Sequence, residues 1–529
     1  MKTLKIENTK KILFKGILST ISAILQQFSL FPLFMMSNII PFMISYLYHI
    51  EKQSSPNGKS SLRQRDGYFM HPFMSLFMSI FCFFGGIIGH FLGARAVILL
   101  GGISIALGDL LYVISTNLIL GFFINIFFGI GFAISMTAAV KNACKYFPQK
   151  RGLINALAGG FGGNLGSSTF NLIIKKFVSK GDYPRADDNN MYIMSTAENY
   201  KIFFYIHASV AFGCGLLSCV FLMPYEDNFN KNSKKFSPMV EQGKSDNENL
   251  TENESSNNLD TNLNINYESS KTTNYKDDLT TILKHYRIYY LLSIFLFTSF
   301  LQGFILTVGF NFGTMKHGDD STDIKKIGGD EMSIIFMLMS LTSCFIGPVF
   351  GAIYDKFGFK KTMIILNLIS VLNGSLIFFT VRLGVIFYGF SIILNGALNS
   401  GAFSMIFPYV SKIFGFKYAG ELYGIVVLSV GISSIMSSSI YYLISKVIKT
   451  ENDLSYLFIF IVGIVLNFVA IILTYYEKET PFGFYKVNFL QEKKAKKGNA
   501  IKNNDINAIT NSDSDNDNIE LEEKTSANS

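Results

Sequence analysis

The sequence predicts an all-α polytopic membrane protein, with twelve transmembrane helices in two pseudo-symmetric six-helix bundles. Composition is the first observation. Hydrophobic residues make up 49% of the 529 and charged residues only 16%, against about 25% charged in a typical soluble domain. Mean hydropathy is +0.32, although long polar stretches pull it down. The second observation is the pattern of six apolar runs, a polar stretch over 224–285, and six more apolar runs. The third is repetition. Gly86, Gly93 and Arg95 recur as Gly351, Gly358 and Lys360, 265 residues on; Gly129, Lys145 and Phe147 recur as Gly396, Lys412 and Phe414, 267 residues on. Matches at nearly one period mark a tandem of related halves.

The first half covers 1–223. It opens with a short segment bearing Lys2, Lys5, Lys10 and Lys11, and no small-residue cleavage site follows the first apolar run, so no removed signal peptide is expected. That run, 14–48, exceeds the ~20 residues needed to cross hydrocarbon and should tilt, bend near Pro32 or Pro41, or project outside. After a polar loop over 51–67 come spans at 68–90, 95–116, 118–147, 151–178 and 201–223. Residues 224–285 are rich in Asn, Ser, Lys, Asp and Glu, with no packable apolar face, and read as a disordered cytosolic linker. The second half, 286–476, holds spans at 286–312, 332–354, 362–381, 384–412, 419–446 and 455–476. The tail, 477–529, is polar, ends acidic and is expected to be disordered and cytosolic.

Several function classes drop out. The net charge of +8 is spread over loops and tails with no compact basic patch, so it serves topology and solvation, and nucleic acid is not a partner. The five cysteines, Cys82, Cys144, Cys214, Cys219 and Cys344, lie in or beside apolar runs without a C-x-x-C pair or a histidine cluster. They read as free membrane thiols, with no metal and no cofactor expected. An intramembrane enzyme would need a nucleophile beside a base, or a metal set. His90 and His207 have no such company in the sequence, and an enzyme is not expected.

One hydrophilic join stands out. Gly351-Ala-Ile-Tyr-Asp355-Lys356-Phe-Gly358-Phe-Lys360-Lys361 separates two long apolar runs. Its glycines suit a tight turn between two helix ends, and its cations suit the cytoplasmic side of a bilayer. An aspartate among them is best explained by a nearby helix N-terminus, where free N–H groups and the dipole favour negative charge. The run resembles the signature loop G-x-x-x-D-[RK]-x-G-x-[RK]-[RK] of the major facilitator superfamily, matching at Gly351, Asp355, Lys356, Gly358, Lys360 and Lys361. A worn copy follows in the first half: Gly86, Gly93 and Arg95 are kept, while His90 replaces the aspartate and Phe91 the lysine. The resemblance implies a transporter working by alternating access, with both termini in the cytosol, in the plasma membrane or an organelle membrane.

A narrower likeness follows span four. Lys145-Tyr-Phe-Pro148-Gln-Lys150-Arg151-Gly152, with Gly159, Gly160, Gly162, Gly163 and Gly166 after it, resembles the segment and glycine-rich fifth helix of oxalate/formate antiporter-like and monocarboxylate transporters. It implies a monocarboxylate-like metabolite. The sequence departs from that group, however: span eight carries no arginine, span eleven has no cation before Lys446, and Asn125 stands where the superfamily often has an arginine in span four. A neutral or zwitterionic solute such as an amino acid or sugar, and a transporter-like sensor that moves nothing, stay open. The glycines at i, i+1, i+3, i+4 and i+7 are expected to line one face and let helix five meet helix eight.

The candidate cavity residues are neutral amides on spans one, four, seven and ten: Gln26, Gln27, Asn38, Asn125, Gln302, Asn311, Asn395 and Asn399. Amides both donate and accept, which suits a neutral solute. Ionisable groups inside spans are Asp109, Lys141 and His207, and such groups are functional candidates by default; Asp109 is the deepest acid and the leading candidate for proton coupling. Lys141 is expected to reach the inner aqueous edge. Asp355 is expected to cap the start of helix five near Arg151 and Gly152, and His90 to sit at the start of helix eleven near Glu421. The partners are a small-molecule solute, the lipid bilayer and, as candidate coupling ion, protons.

Overall fold

The computed structural model describes residues 2–32, 36–56, 59–67, 69–180, 191–225, 275–314, 327, 329–448 and 453–479. Most of the 224–285 linker and of the 477–529 tail lies outside the described residues, as do the side chains of His90 and Asn311. Residues 1–411 and 415–477 form one compact unit, which holds the packing described below. In the other unit, residues 412–414 and 478–529, Lys412 Nζ donates to Glu479 Oε2 at 3.1 Å.

The described chain is helical throughout. The first apolar run is two helices, α1 (Lys2–Leu30) and α2 (Met36–Ser54). The break falls just ahead of Pro32, because a proline removes one N–H and disfavours helical geometry in the residue before it. Pro41, the other candidate for a bend, lies inside α2. Then come α3 (Met70–Leu92), α4 (Ala94–Ile114) and α5 (Leu118–Tyr146). Asn117 caps α5, its side chain accepting from Ile119 N at 2.8 Å.

Next is one helical run with changing pitch: α6 (Arg151–Asn155), a π-helical segment Ala156–Gly163, α7 (Asn164–Ile173) and a second π-helical segment Ile174–Ser179. The short α8 (Met194–Ala197) and α9 (Tyr200–Phe221) close the first half. Within the stretch expected to be disordered, residues 275–283 instead form a helix, α10 (Tyr275–Leu283), because Leu279 and Ile282 are buried; the second half has α11 (Tyr286–Thr314), α12 (Gly329–Phe357), α13 (Phe359–Leu383), α14 (Val385–Phe414), α15 (Ala419–Ile448) and α16 (Asp453–Tyr476).

Among the described residues, 11 helical segments are long and apolar enough to cross a membrane. The run from Arg151 to Ser179 is the twelfth crossing, divided only by its π-helical turns. Six crossings precede the linker and six follow it, so the protein is a polytopic, all-helical membrane protein.

Two glycines at equivalent places set the helix joins. Gly93 turns α3 into α4 with φ 78°, and Gly358 turns α12 into α13 with φ 83°. Both lie in the left-handed region, which a β-carbon disfavours. Each half has an aromatic core. Tyr112 stacks between Phe128 at 5.5 Å and Phe204 at 4.9 Å. Phe312 packs on Tyr456 at 4.8 Å and on Phe460 at 5.4 Å. Large apolar side chains left exposed, such as Leu107 and Ile114 on α4 and Leu372 and Phe379 on α13, suit a lipid-facing surface.

The glycine run of the fifth crossing does not line one face. A β-carbon at Gly160 would lie 3.3 Å from Gly347 Cα on α12, whereas one at Gly162 would lie 2.6 Å from Ile24 O on α1. Gly163 and Gly166 also face α1, against Phe31 and Phe28, and a β-carbon at Gly159 would meet nothing within 4 Å. The expectation of a single stripe assumed 3.6 residues per turn. Even at that pitch Gly160 and Gly162 stand roughly 160° apart, so the run serves two neighbours.

Candidate functional site

The hinge signature folds into a clasp between the two halves. Gly152 N donates to Asp355 Oδ1 at 3.0 Å and Leu153 N donates to Asp355 Oδ2 at 2.9 Å. The carboxylate therefore caps the first turn of α6, where unpaired N–H donors and the positive end of the dipole lie. The approach needs glycine on both sides. A β-carbon at Gly152 would lie 2.6 Å from Gly351 O and 2.7 Å from Asp355 Oδ1, and one at Gly351 would lie 2.5 Å from Gly152 O. The Arg151 guanidinium sits 4.8 Å over the Phe416 ring. Lys360 lies 4.6 Å over the Tyr475 ring, Lys356 lies 5.3 Å over Phe357, and Lys361 is exposed.

A second crossing pairs α3 with α15. A β-carbon at Gly86 would lie 2.6 Å from Glu421 N, and Gly424 packs against the backbone of Cys82 and Phe83. Glu421, at the start of α15, is fully buried. Lys141 Nζ donates to Lys417 O at 3.0 Å and lies 3.9 Å from Glu421 Oε2. Lys141 is thus spent at the hinge end of the bundle, tying α5 to the start of α15. Arg95 donates from Nε and Nη2 to Leu222 O, at 3.1 and 2.9 Å, capping the end of α9 where a cation is favoured.

The amides separate into two groups. Asn38 donates to Asn171 Oδ1 at 2.9 Å, and Asn125 accepts from Tyr112 Oη at 2.9 Å, so both tie helices within the first half. Asn395 reaches the Gln302 carbonyl at 3.5 Å, and Asn399 is half-buried on α14. Gln26, Gln27 and Gln302 differ from these. All three are fully buried, and neither polar atom of any of their amides has a hydrogen-bond partner. Thr298, one turn before Gln302 on α11, is likewise buried with its hydroxyl unpartnered. Helical spacing separates the two α1 glutamines. Gln26 shares a face with Ser19, Ser22 and Ser29, each bonded to α9 or the residues just after it. Gln27 shares the adjoining face with Gly16 and Phe31, which pack on α5 and Phe147 just beyond it.

Asn155 and Asn164 carry contacts that the sequence reading missed. Asn155 Nδ2 donates to Ser404 O at 2.8 Å and to Phe403 O at 3.3 Å, and Asn164 Nδ2 lies 3.3 Å from Ser400 Oγ. Both join the fifth crossing to α14, across the halves. Their position flanking the glycine run was the available signal. The structure also brings together two groups named singly from sequence: His207 Nδ1 lies 2.8 Å from Asp109 Oδ2 and His207 Nε2 lies 2.9 Å from Ser29 O.

A protein-family model described as Major Facilitator Superfamily matches residues 28–321 and 288–500. A search of curated proteins finds no match. Among solved structures, the nucleoside transporter NupG is similar in fold, with a TM-score of 0.52 at 13% identity, covering 88% of this chain and 100% of that one. Its D323A mutant gives a TM-score of 0.54 at 13% identity, covering 86% of this chain and 99% of that one. With a family match across most of its length, 11 long apolar helical spans and a signature loop seated on the run that starts at Arg151, this chain belongs to the major facilitator superfamily.

Proposed function

We propose that the protein moves a small, neutral, hydrogen-bonding solute across the membrane by alternating access, with Gln27 on α1 and Gln302 on α11 among its contacts. The carrying observation is that these buried amides have no partner. Leaving a buried polar group unpaired costs about 1–3 kcal/mol, so such groups persist where a ligand or water completes them. An amide offers two donors and an acceptor with two lone pairs, and this fits sugars, amino acids and nucleosides. Nucleosides enter the panel first, because a structural neighbour is described as a nucleoside transporter.

The clasp at Asp355 and the Lys141–Glu421 contact would hold the cytoplasmic end shut in the outward-facing state. A monocarboxylate is the second reading, favoured by the likeness of Lys145–Gly152 to that transporter group. Against it, Lys141, an in-span cation from the sequence reading, is committed to Lys417 O and Glu421. The test is uptake into liposomes holding the purified protein, using labelled nucleosides, hexoses, amino acids, lactate, pyruvate and formate. Saturable uptake of a neutral solute that Gln302→Leu weakens about tenfold, the loss of one to two hydrogen bonds, supports the reading. Uptake confined to the carboxylates would overturn it.

A further inference from the structure

We propose that Asp109 and His207 form a proton-binding site, in which one proton shared between two buried side chains holds the end of α1 and makes transport depend on pH. This rests on the transport reading above. Counting hydrogens fixes the protonation states open to the pair. Ser29 O, 2.9 Å from His207 Nε2, is a carbonyl and can only accept, so Nε2 carries a hydrogen. His207 Nδ1 and Asp109 Oδ2 are 2.8 Å apart, so a second hydrogen lies between them. The pair is then either imidazolium with carboxylate or imidazole with carboxylic acid; in both forms it is electrically neutral. Removing that proton leaves the imidazole one hydrogen for two acceptors; held on Nδ1 by the carboxylate, it leaves the Nε2 lone pair facing Ser29 O, and the pair carries one negative charge. Both side chains are 0% exposed, and Asp109 Oδ1 has no hydrogen-bond partner to offset the charge. An uncompensated buried charge is strongly disfavoured.

Among the described residues the surroundings supply no other counter-ion. The titratable neighbours are Tyr112, whose hydroxyl donates to Gly121 O and Asn125 Oδ1, and Tyr200, whose hydroxyl donates to Tyr112 O. The Phe170 ring stands edge-on to His207 at 5.1 Å, and Phe203 stacks on it at 5.7 Å. From α1 come Ser29 and, on the same face, the neutral Gln26. Charged side chains on the packed elements lie toward helix ends: Lys10, Lys11 and Lys15 on α1, Arg95 on α4, Lys141 and Lys145 on α5, Arg151, Lys175 and Lys176 on the fifth crossing, and Lys201 on α9. On α2, His49 is bonded to Tyr192 O and Glu51 to Ser60, with Lys52 beside them.

What the proton holds is the end of α1. Ser29 is the residue before Leu30, where α1 stops ahead of Pro32. The same helix carries Gln27 and lies on Gly162, Gly163 and Gly166 of the fifth crossing. With the proton bound, α4, α9 and the end of α1 are joined through one imidazole. While the pair is buried the proton stays; it leaves only in a state of the transport cycle that lets water reach the pair, and there the attachment is complete at low pH and is lost as pH rises.

The test uses the full chain reconstituted in liposomes, with two readouts across a pH series from about 5.5 to about 8.5. The first is solute-for-solute exchange of a transported member of the panel. Wild type should change rate at least about tenfold across the window, as one titrating proton allows. Asp109→Asn, whose amide can still donate to Nδ1, should give a flat profile, as should His207→Gln. The second is pH-difference infrared spectroscopy, in which wild-type carboxyl and imidazole bands should titrate and Asp109→Asn should lose them. A flat wild-type profile, or a variant with the wild-type profile, would overturn the proposal while leaving transport intact. Should Asp109→Asn fail to elute as a folded protein, His207→Gln carries both comparisons. Should no solute exchange, the transport reading fails and the spectrum alone decides the proton site, its refutation being the absence of bands that titrate in wild type and vanish in the variants.

Discussion

Replacing Asp355 by asparagine should loosen the clasp by a calculable amount. The carboxylate accepts two backbone hydrogen bonds, from Gly152 N at 3.0 Å and Leu153 N at 2.9 Å. Asparagine keeps one acceptor oxygen, turns the other position into a donor that faces an N–H, and removes the charge that the helix start favours. Asp355 is exposed, so water screens the contact. A helix cap in that setting is worth about 1 kcal/mol, which moves a two-state equilibrium roughly fivefold; alanine, losing both bonds, should cost up to about 2 kcal/mol and move it roughly thirtyfold. The assay is pulsed electron resonance between spin labels at Lys150→Cys and Lys361→Cys, two exposed positions flanking the clasp. The longer-distance population should grow from wild type to Asp355→Asn to Asp355→Ala. Unchanged populations in both variants, or a larger shift for asparagine than for alanine, would refute the capping argument.

Other outcomes follow from the same structure. Gly152→Ala should open the clasp further than Asp355→Asn, since its β-carbon would lie 2.6 Å from Gly351 O, and the spin-label distances check it. Gln302→Leu should raise the melting temperature while it weakens uptake, because it removes a buried amide whose unpaired groups cost about 1–3 kcal/mol; a fall in both would mean that Gln302 is structural. Glu477→Gln should destabilise by about 3 kcal/mol, the cost of stranding a buried ion-pair partner. Arg287 Nη2 lies 2.9 Å from Glu477 Oε1, Tyr409 Oη lies 3.0 Å from the same oxygen, and both charged residues are buried. A thermal melt in detergent measures it.

The crossings were legible in the sequence because lipid imposes one rule: every backbone polar group is satisfied within its own helix, so apolar runs and helices coincide. Eleven of the twelve expected spans end within about three residues of a described helix, as that rule implies. The Asp355 contact was also legible, since an acid among cations needs a special partner and a helix start provides one. The direction in which buried side chains point was less legible. Asp109 and His207 stand 98 residues apart in sequence, and nothing local in the chain reveals that α4 and α9 bring them within bonding distance. The glycine stripe was misplaced for a simpler reason: at about 100° per residue Gly160 already points away from Gly162 and Gly166. Asn38 and Asn125, named from the sequence as solute contacts, each also bond within the first half, to Asn171 and Tyr112, which no local pattern foretells.

The wide turns of the fifth crossing also govern how the chain tolerates changes in its length. In an α-helix, deleting one residue swings everything beyond it by about 100° and exchanges buried faces for exposed ones. A π-helical turn closes its hydrogen bond one residue later than an α turn does and so stores a spare residue. Loss of a single glycine from Ala156–Gly163 could therefore be absorbed by tightening that turn, with Asp355's partners before it and Asn164 after it staying in register. The glycine-rich segment, which looks least forgiving by composition, is thus the place in the helix where a one-residue length change does least damage.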